Sequence, residues 1–171
     1  MLWLLLGRPS QHKLDLQAHD DTAITMTQKI TVGWRETLSL PDLGIDKINA
    51  KIDTGARTSC LHAFKLETFT KNQTPWVRFW MHPQQHNTDD VVVCEAEVID
   101  QRTVRDSGGH EELRFVIRTD ISLAGQRWPI EITLTNRENM AFRMLLGRTA
   151  MQHKLVVDPT LSFLIPFEDN I

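Results

Sequence analysis

The sequence predicts an all-β domain, a barrel or a sandwich. Short runs of alternating and β-branched residues recur along the chain. Clusters of Gly, Pro, Asn and Asp separate them, and strong helical periodicity is nearly absent.

The first 25 residues stand apart. MLWLLLGRPS is apolar for only six residues, too short to span a bilayer, and lacks the basic flank and small-residue cleavage site of a signal peptide. QHKLDLQAHDDTAIT is polar and has no sustained period. Residues 1–25 are expected to be a disordered leader, or to precede a true start at Met26, with residues 26–171 forming the domain.

KITVGW and ETLSL then read as two short strands, and PDLGID as turn chemistry. KINAKID alternates and points Ile48 and Ile52 the same way. A second short β-like run, SCLHA, follows. PWVRFWMHP reads as a strand, QQHNTDD as a polar turn and VVVCEAEVI as a strand. DQRTVRDSGGHEELRFVIRT has β-prone ends around Ser107, Gly108 and Gly109, the pattern of a long hairpin. QRWPIEITLTN and RMLLG read as strands, RTAMQHKL as a helical turn, and LVVDPTLSFLIPF as two short strands around Asp-Pro.

Composition narrows the function classes. A chain of 171 residues with 41% hydrophobic and 24% charged residues fits one soluble core. A net charge of -3 and a pI near 6.1 lack the basic surface of a general nucleic-acid binder. Two cysteines, Cys60 and Cys94, make no disulfide framework and fit a reducing cytoplasm. Neither a P-loop nor GxGxxG occurs, so nothing here binds a nucleotide by those means.

The chemistry concentrates in NAKIDTGARTSCLHA. A strand ends on Asp53, a hydroxyl follows in Thr54, and Gly55 permits a tight turn and close approach by another segment. This turn offers a fixed carboxylate surrounded by backbone N–H donors. One carboxylate is a weak catalyst of peptide hydrolysis. Two that share a proton are better, because like charges about 3 Å apart cannot both ionise near neutral pH. One then takes a proton from water while the other gives one to the carbonyl oxygen. By itself Asp-Thr-Gly is also an ordinary turn.

Its surroundings are more specific. AKIDTGARTS resembles the active-site motif of retropepsin-like aspartic proteases, an apolar residue, Asp-Thr-Gly and then Ala. MLLGRTAM resembles the second signature of that fold, and RTVRDSGGHEELRF, between the two, resembles its glycine-tipped flap. Within the class, VGWRE, KIDTGARTSCLHA, RFVIRT, WPIEITLTNRENMAFRMLLGR and VDP resemble blocks of the bacterial RimB-type proteins. The likeness covers residues 28–166. It implies an acid-protease barrel of one lobe per chain, with a flap hairpin and a short helical turn after Gly-Arg. It further implies hydrolysis of peptide bonds in glutamate-rich or glutamate-tailed proteins, a ribosomal protein among them, and association with ATP-grasp glutamate ligases.

The resemblance also assigns residues. Asp53, Thr54 and Gly55 would form the catalytic loop, with Leu145, Leu146 and Gly147 packed beneath it. A chain with one Asp-Thr-Gly needs a second copy, so a homodimer is implied, with the two Asp53 residues at a two-fold axis and Thr54 tying the loops across it. The apolar run SFLIPF is a candidate interface strand or core strand. Ala56, Arg57, Arg148, Gly108 and Gly109 would line the substrate, the two glycines closing the hairpin over it, with organisation of the loop as the alternative role for Arg57 and Arg148. Retroviral enzymes commonly carry Asp where this chain has Arg57, so the usual pair with the Arg of Gly-Arg is lost. Two like charges near one carboxylate suit an acidic substrate, because Arg recognises carboxylates bidentately.

The same family carries the label ATP-dependent zinc protease. HExxH is absent. His82 and His86 are four apart, but Pro83 argues against the helix that this spacing requires. Cys60, His62 and Cys94 make the best ligand cluster the sequence offers, and a small buried thiol beside an imidazole is their plainer reading. His110 reads as a surface or substrate-facing side chain. The expectation is therefore no metal and no other cofactor, no nucleic acid and no membrane. Two rival functions stay open: a zinc hydrolase built on Cys60, His62 and Cys94, and a non-catalytic dimeric module that binds acidic peptides.

Overall fold

A computed structural model of the protein describes residues 28–105 and 108–167. The expected leader and Ser107 at the hairpin tip lie outside these residues. In chain order the strands are β1 (Ile30–Val32), β2 (Arg35–Leu40), β3 (Ile45–Asp53), β4 (Ser59–His62), β5 (Lys65–Lys71), β6 (Thr74–Met81), β7 (Val92–Arg105), β8 (Glu111–Leu123), β9 (Gln126–Thr135), β10 (Met144–Gly147) and β11 (Leu155–Val157). A single helical turn, α1 (Arg148–Met151), follows the Gly-Arg motif as expected. No helix among the described residues is long and apolar enough to cross a membrane.

The alternation in the sequence becomes the division between core and surface. In β2, Glu36, Leu38 and Leu40 are buried, and in β3, Ile45, Ile48, Ala50 and Ile52 are buried. The apolar ones among them join Leu61, Ile117, Ile121, Ile132, Leu134, Met144 and Leu146 in one core. PDLG, between β2 and β3, forms a 3-10 turn over Pro41–Leu43 that Gly44 ends in the left-handed region, at φ 67°.

Nine strands form one sheet in the order β2-β3-β10-β4-β9-β8-β7-β6-β5, and β1 pairs with β11 separately in parallel. The first six members of that order curl into a ring. Its seam, between β2 and β8, is one bridge, Ser39 opposite Ser122. The β-bulge between Leu38 and Leu40 removes Ser39 from the β3 pairing and so frees it to meet β8. Asp42 reinforces the seam by accepting the Asp120 N–H at 3.1 Å and pairing with Arg127. The expected barrel is thus a ring with one stitched seam, and β7, β6 and β5 continue outward from it.

Two further expectations are corrected. VVVCEAEVI and the first arm of the hairpin are one strand, β7, with a bulge between Val98 and Asp100. The Asp-Pro segment is flanked by a single strand, β11, because the N–H groups of SFLIPF have other acceptors. The Phe163 N–H goes to the Arg35 carbonyl, and the Leu164 and Ile165 N–H groups go to the buried Glu36 carboxylate.

Candidate active site

Two strands end together at the carboxylate. β3 and β10 run parallel, with Leu145, Leu146 and Gly147 opposite Lys51, Ile52 and Asp53. Gly147 occupies a position where a Cβ would fall 2.6 Å from the Thr58 carbonyl carbon, so the strand can pass under the loop only without a side chain. Its N–H donates to the buried Ser59 hydroxyl at 3.1 Å.

Asp53 caps its own turn. The N–H groups of Gly55 and Ala56 donate to its Oδ1 at 3.0 and 3.2 Å. The other oxygen, Oδ2, lies 3.7 Å from Lys51 Nζ, and the side chain stays 21% exposed. One oxygen is therefore fixed by the backbone while the other faces outward. A Cβ on Gly55 would crowd Oδ1 at 3.2 Å.

The rest of the loop is held by two consecutive residues. Arg148 Nη1 donates to the Thr54 and Gly55 carbonyls, each at 2.8 Å. The Arg148 N–H donates to the Ala56 carbonyl at 2.9 Å, and the Thr149 N–H and hydroxyl both donate to the Arg57 carbonyl. All four carbonyls from Thr54 to Arg57 thus find their donors on α1. Trp128 Nε1 fixes α1 in turn by donating to the Ala150 carbonyl at 2.9 Å. Thr149 was not singled out from the sequence, although its place directly after Gly-Arg was the available signal.

The anticipated like-charge conflict is resolved by geometry. Arg148 is turned onto the loop carbonyls, and Arg57 is exposed with no acidic partner among the described residues. Gly108 and Gly109 lie where expected, between β7 and β8, and Gly109 adopts φ 84°. Arg105 and Glu111 pair at the base of that tip.

The proposed zinc ligands do not assemble. Cys94 donates its Sγ–H to the Leu43 carbonyl at 3.3 Å, and burial pushes its thiol up to about 12. Burial also raises the Cys60 thiol, which disfavours the thiolate that a metal needs. His62 instead meets His82 and Glu138, a group whose ligand atoms lie within 4.8 Å of one another. These three do not fit a metal either. The Arg137 N–H donates to His62 Nδ1 at 3.0 Å, so the neutral ring carries its proton on Nε2. That is the nitrogen a cation would need bare. Nε2 sits 2.9 Å from Glu138 Oε2, off the line of an aligned hydrogen bond, and His82 Nδ1 reaches the same oxygen at 3.1 Å. Arg143 Nη2 approaches the other oxygen at 3.2 Å and already supplies the positive charge. Burial and the Arg143 charge push His62 down to about 4. Glu138 loses solvent, which pulls it upward, but Arg143 and the two histidines hold its carboxyl below the usual range.

Comparison with known proteins agrees with this architecture. A family model described as "RimB-like: Retropepsin-like aspartic endopeptidase RimB" matches residues 31–168. A protein of Shewanella halifaxensis (strain HAW-EB4) named "Probable alpha-L-glutamate ligase" is 43% identical over 84% of this chain. One of the same name from Parasynechococcus marenigrum (strain WH8102) is 48% identical over 78% of it. The chain spans only 31% and 29% of the length of those two relatives. The crystal structure of Lpg0085, a Legionella pneumophila protein of unknown function, superposes with a TM-score of 0.66 at 28% identity, covering 80% of this chain and 98% of that one. With its β-rich ring, its Asp-Thr-Gly turn and a matching model over most of its length, the chain belongs to the RimB-like family of retropepsin-like aspartic endopeptidases.

Proposed function

We propose that this domain hydrolyses peptide bonds in glutamate-rich or glutamate-tailed proteins, using Asp53 from two copies of the chain. The observation that carries the reading is the Asp53 turn, in which backbone N–H groups fix Oδ1 and leave Oδ2 outward. Across a dimer axis, one carboxylate takes a proton from water as the water oxygen adds to the peptide carbonyl carbon. The partner carboxyl gives its proton to the carbonyl oxygen. Collapse of that adduct breaks the C–N bond and sends a proton to the departing amine. Arg148 organises the loop in this scheme, and the glycine-tipped hairpin closes over the substrate.

Two further observations support the dimer and the substrate. Leu161, Phe163 and Leu164 expose apolar side chains, and the Leu161 carbonyl accepts from Trp34, whose own carbonyl accepts from Ile52, the neighbour of Asp53. These exposed residues are the candidate contact surface for a second copy. Glutamate enters through the relatives, whose names describe glutamate ligation and which contain this domain as a minor part of their length. A ligase that builds glutamyl chains and a peptidase that trims them form a coherent pair, and a glutamylated ribosomal protein is one candidate target.

The test is cleavage of an oligoglutamate-tailed peptide by wild type and Asp53→Asn, each with and without a chelator. Loss in the variant alone supports the aspartic mechanism. Chelator-sensitive cleavage that survives Asp53→Asn would overturn it. Binding without cleavage under all conditions would favour a module that only holds acidic peptides.

A further inference from the structure

Among the described residues, nearly every arginine has an acceptor or an aromatic partner. Arg78, Arg102, Arg105, Arg114, Arg127 and Arg143 meet carboxylates. Arg137 and Arg148 donate to carbonyls, and Arg35 lies over the rings of Trp34 and Phe163. The exceptions are Arg57 and Arg118, both exposed. They line the same half-open cleft. Arg57, Thr149 and Ala150 form one side of it, and Arg118, Pro129 and Glu131 form the other.

Arg118 lacks its natural partner for a definite reason. It stands directly opposite Glu131 in the β8–β9 pairing, where a cross-strand ion pair would ordinarily form. Arg102, from β7, takes that carboxylate instead, at 2.7 Å, and holds Asp100 at 2.6 Å with its Nε. Arg57 and Arg118 therefore line the cleft without a direct ion pair among the described residues, and Glu131, shared with Arg102, lines it beside them. The cleft's other side begins at Arg57, whose carbonyl is doubly anchored by Thr149. One edge of the cleft is thus continuous with the Asp53 turn.

We propose that this cleft is a carboxylate-binding subsite, in which Arg118 and Arg57 together hold an acidic side chain of a bound peptide away from the scissile bond. The assignment rests on the peptidase reading only for the word substrate, because the recognition itself depends on Arg118 and not on Asp53. Planar guanidinium forks match a carboxylate in geometry as well as charge. A glutamyl chain, with a carboxylate at every residue, would occupy the cleft whichever residue lies at the bond to be cut. Arg118 is then a specificity-determining residue that sequence reading did not single out, since only the strand register shows that its acidic neighbour is already taken.

The test is a binding cycle in the full chain carrying Asp53→Asn, so that no peptide is consumed. Calorimetry would compare an oligoglutamate peptide with its all-glutamine counterpart, with and without Arg118→Gln. The expected result is a loss of roughly twofold to fivefold on the glutamate peptide. No matching loss is expected on the glutamine peptide, Arg118→Lys should fall between, and the difference should shrink as salt is added. Equal binding of the glutamate peptide by both proteins would overturn the subsite. So would an equal loss on both peptides, or no binding of either peptide by the protein with Arg118 intact. A charge-specific loss together with a failure of wild type to cleave would remove the peptidase reading and leave the subsite standing.

Discussion

Gly147 lies opposite Asp53 in the parallel β3–β10 pair, at a point where the Thr58 and Ser59 backbone leaves no room for a side chain. The approach is backbone to backbone, so no rotamer can relieve it. Gly147→Ala should destabilise the fold by about 2–3 kcal/mol, the usual cost of overpacking. Chemical denaturation would read this as a lower midpoint at unchanged slope.

Arg148 joins two carbonyls of the turn through one nitrogen, a role a shorter or uncharged side chain cannot fill. Arg148→Met should lower stability by about 1–2 kcal/mol. It should also lower kcat/KM by roughly a hundredfold, because a carboxylate misplaced by about 1 Å loses much of its effect. Arg148→Lys keeps the charge on a shorter, non-planar side chain and should restore only part of the rate. Steady-state kinetics on one acidic peptide would compare all three proteins.

Glu36 accepts three backbone N–H groups from within the core. Oε1 takes those of Gly33 and Leu164, and Oε2 takes that of Ile165. In Glu36→Gln the amide NH₂ must face at least one of these donors. The expected cost is about 2 kcal/mol, that of a buried donor left without an acceptor. Hydrogen exchange should accelerate first at Leu164 and Ile165.

His62 gives stability a dependence on mild acid. Its folded pKa, about 4, lies below the value of 6.5 for a free histidine. Between those values the unfolded chain binds a proton that the folded chain refuses, so the contribution is complete above pH 6.5 and is lost as pH falls toward 4. The slope should approach about 1.4 kcal/mol per pH unit in the middle of that window. Glu138, held below its ordinary range, loses its charge only at lower pH. Unfolding measured from pH 7.5 to 4 should show the slope in wild type and a much flatter line in His62→Gln. An unchanged slope in that variant would reassign the effect.

The fold was legible where alternation was strong. KINAKID and PWVRFWMHP appear as strands because one side of each meets the core, the arms of the long hairpin because they pair with each other, and the Asp-Thr-Gly and Leu-Leu-Gly segments lie side by side as their motifs imply. β5 went unread because FKLETFTK has no buried side. It is an outer strand, exposed along almost its whole length and flanked by Lys65 and Lys71 over the rings of Trp80 and Trp76. SFLIPF misled because its apolar residues suit a strand while its N–H groups go to the Arg35 carbonyl and the Glu36 carboxylate. The His62 cluster was hidden for a related reason. His82 and Glu138 lie on separate segments, and only folding brings them to one ring, while Cys94 goes to a different part of the core.

The single stitch at Ser39 and Ser122 bears on how the molecule can breathe. From Asp53 to the hairpin the chain is connected two ways: by the unbroken ladder through β10, β4, β9 and β8, and by that one bridge with its Asp42 strap. Opening the second route breaks few hydrogen bonds but uncovers the buried Leu38 and Leu40 of β2, whereas opening the first breaks a full ladder as well. The seam is therefore the place where the ring has the fewest ladder hydrogen bonds to lose.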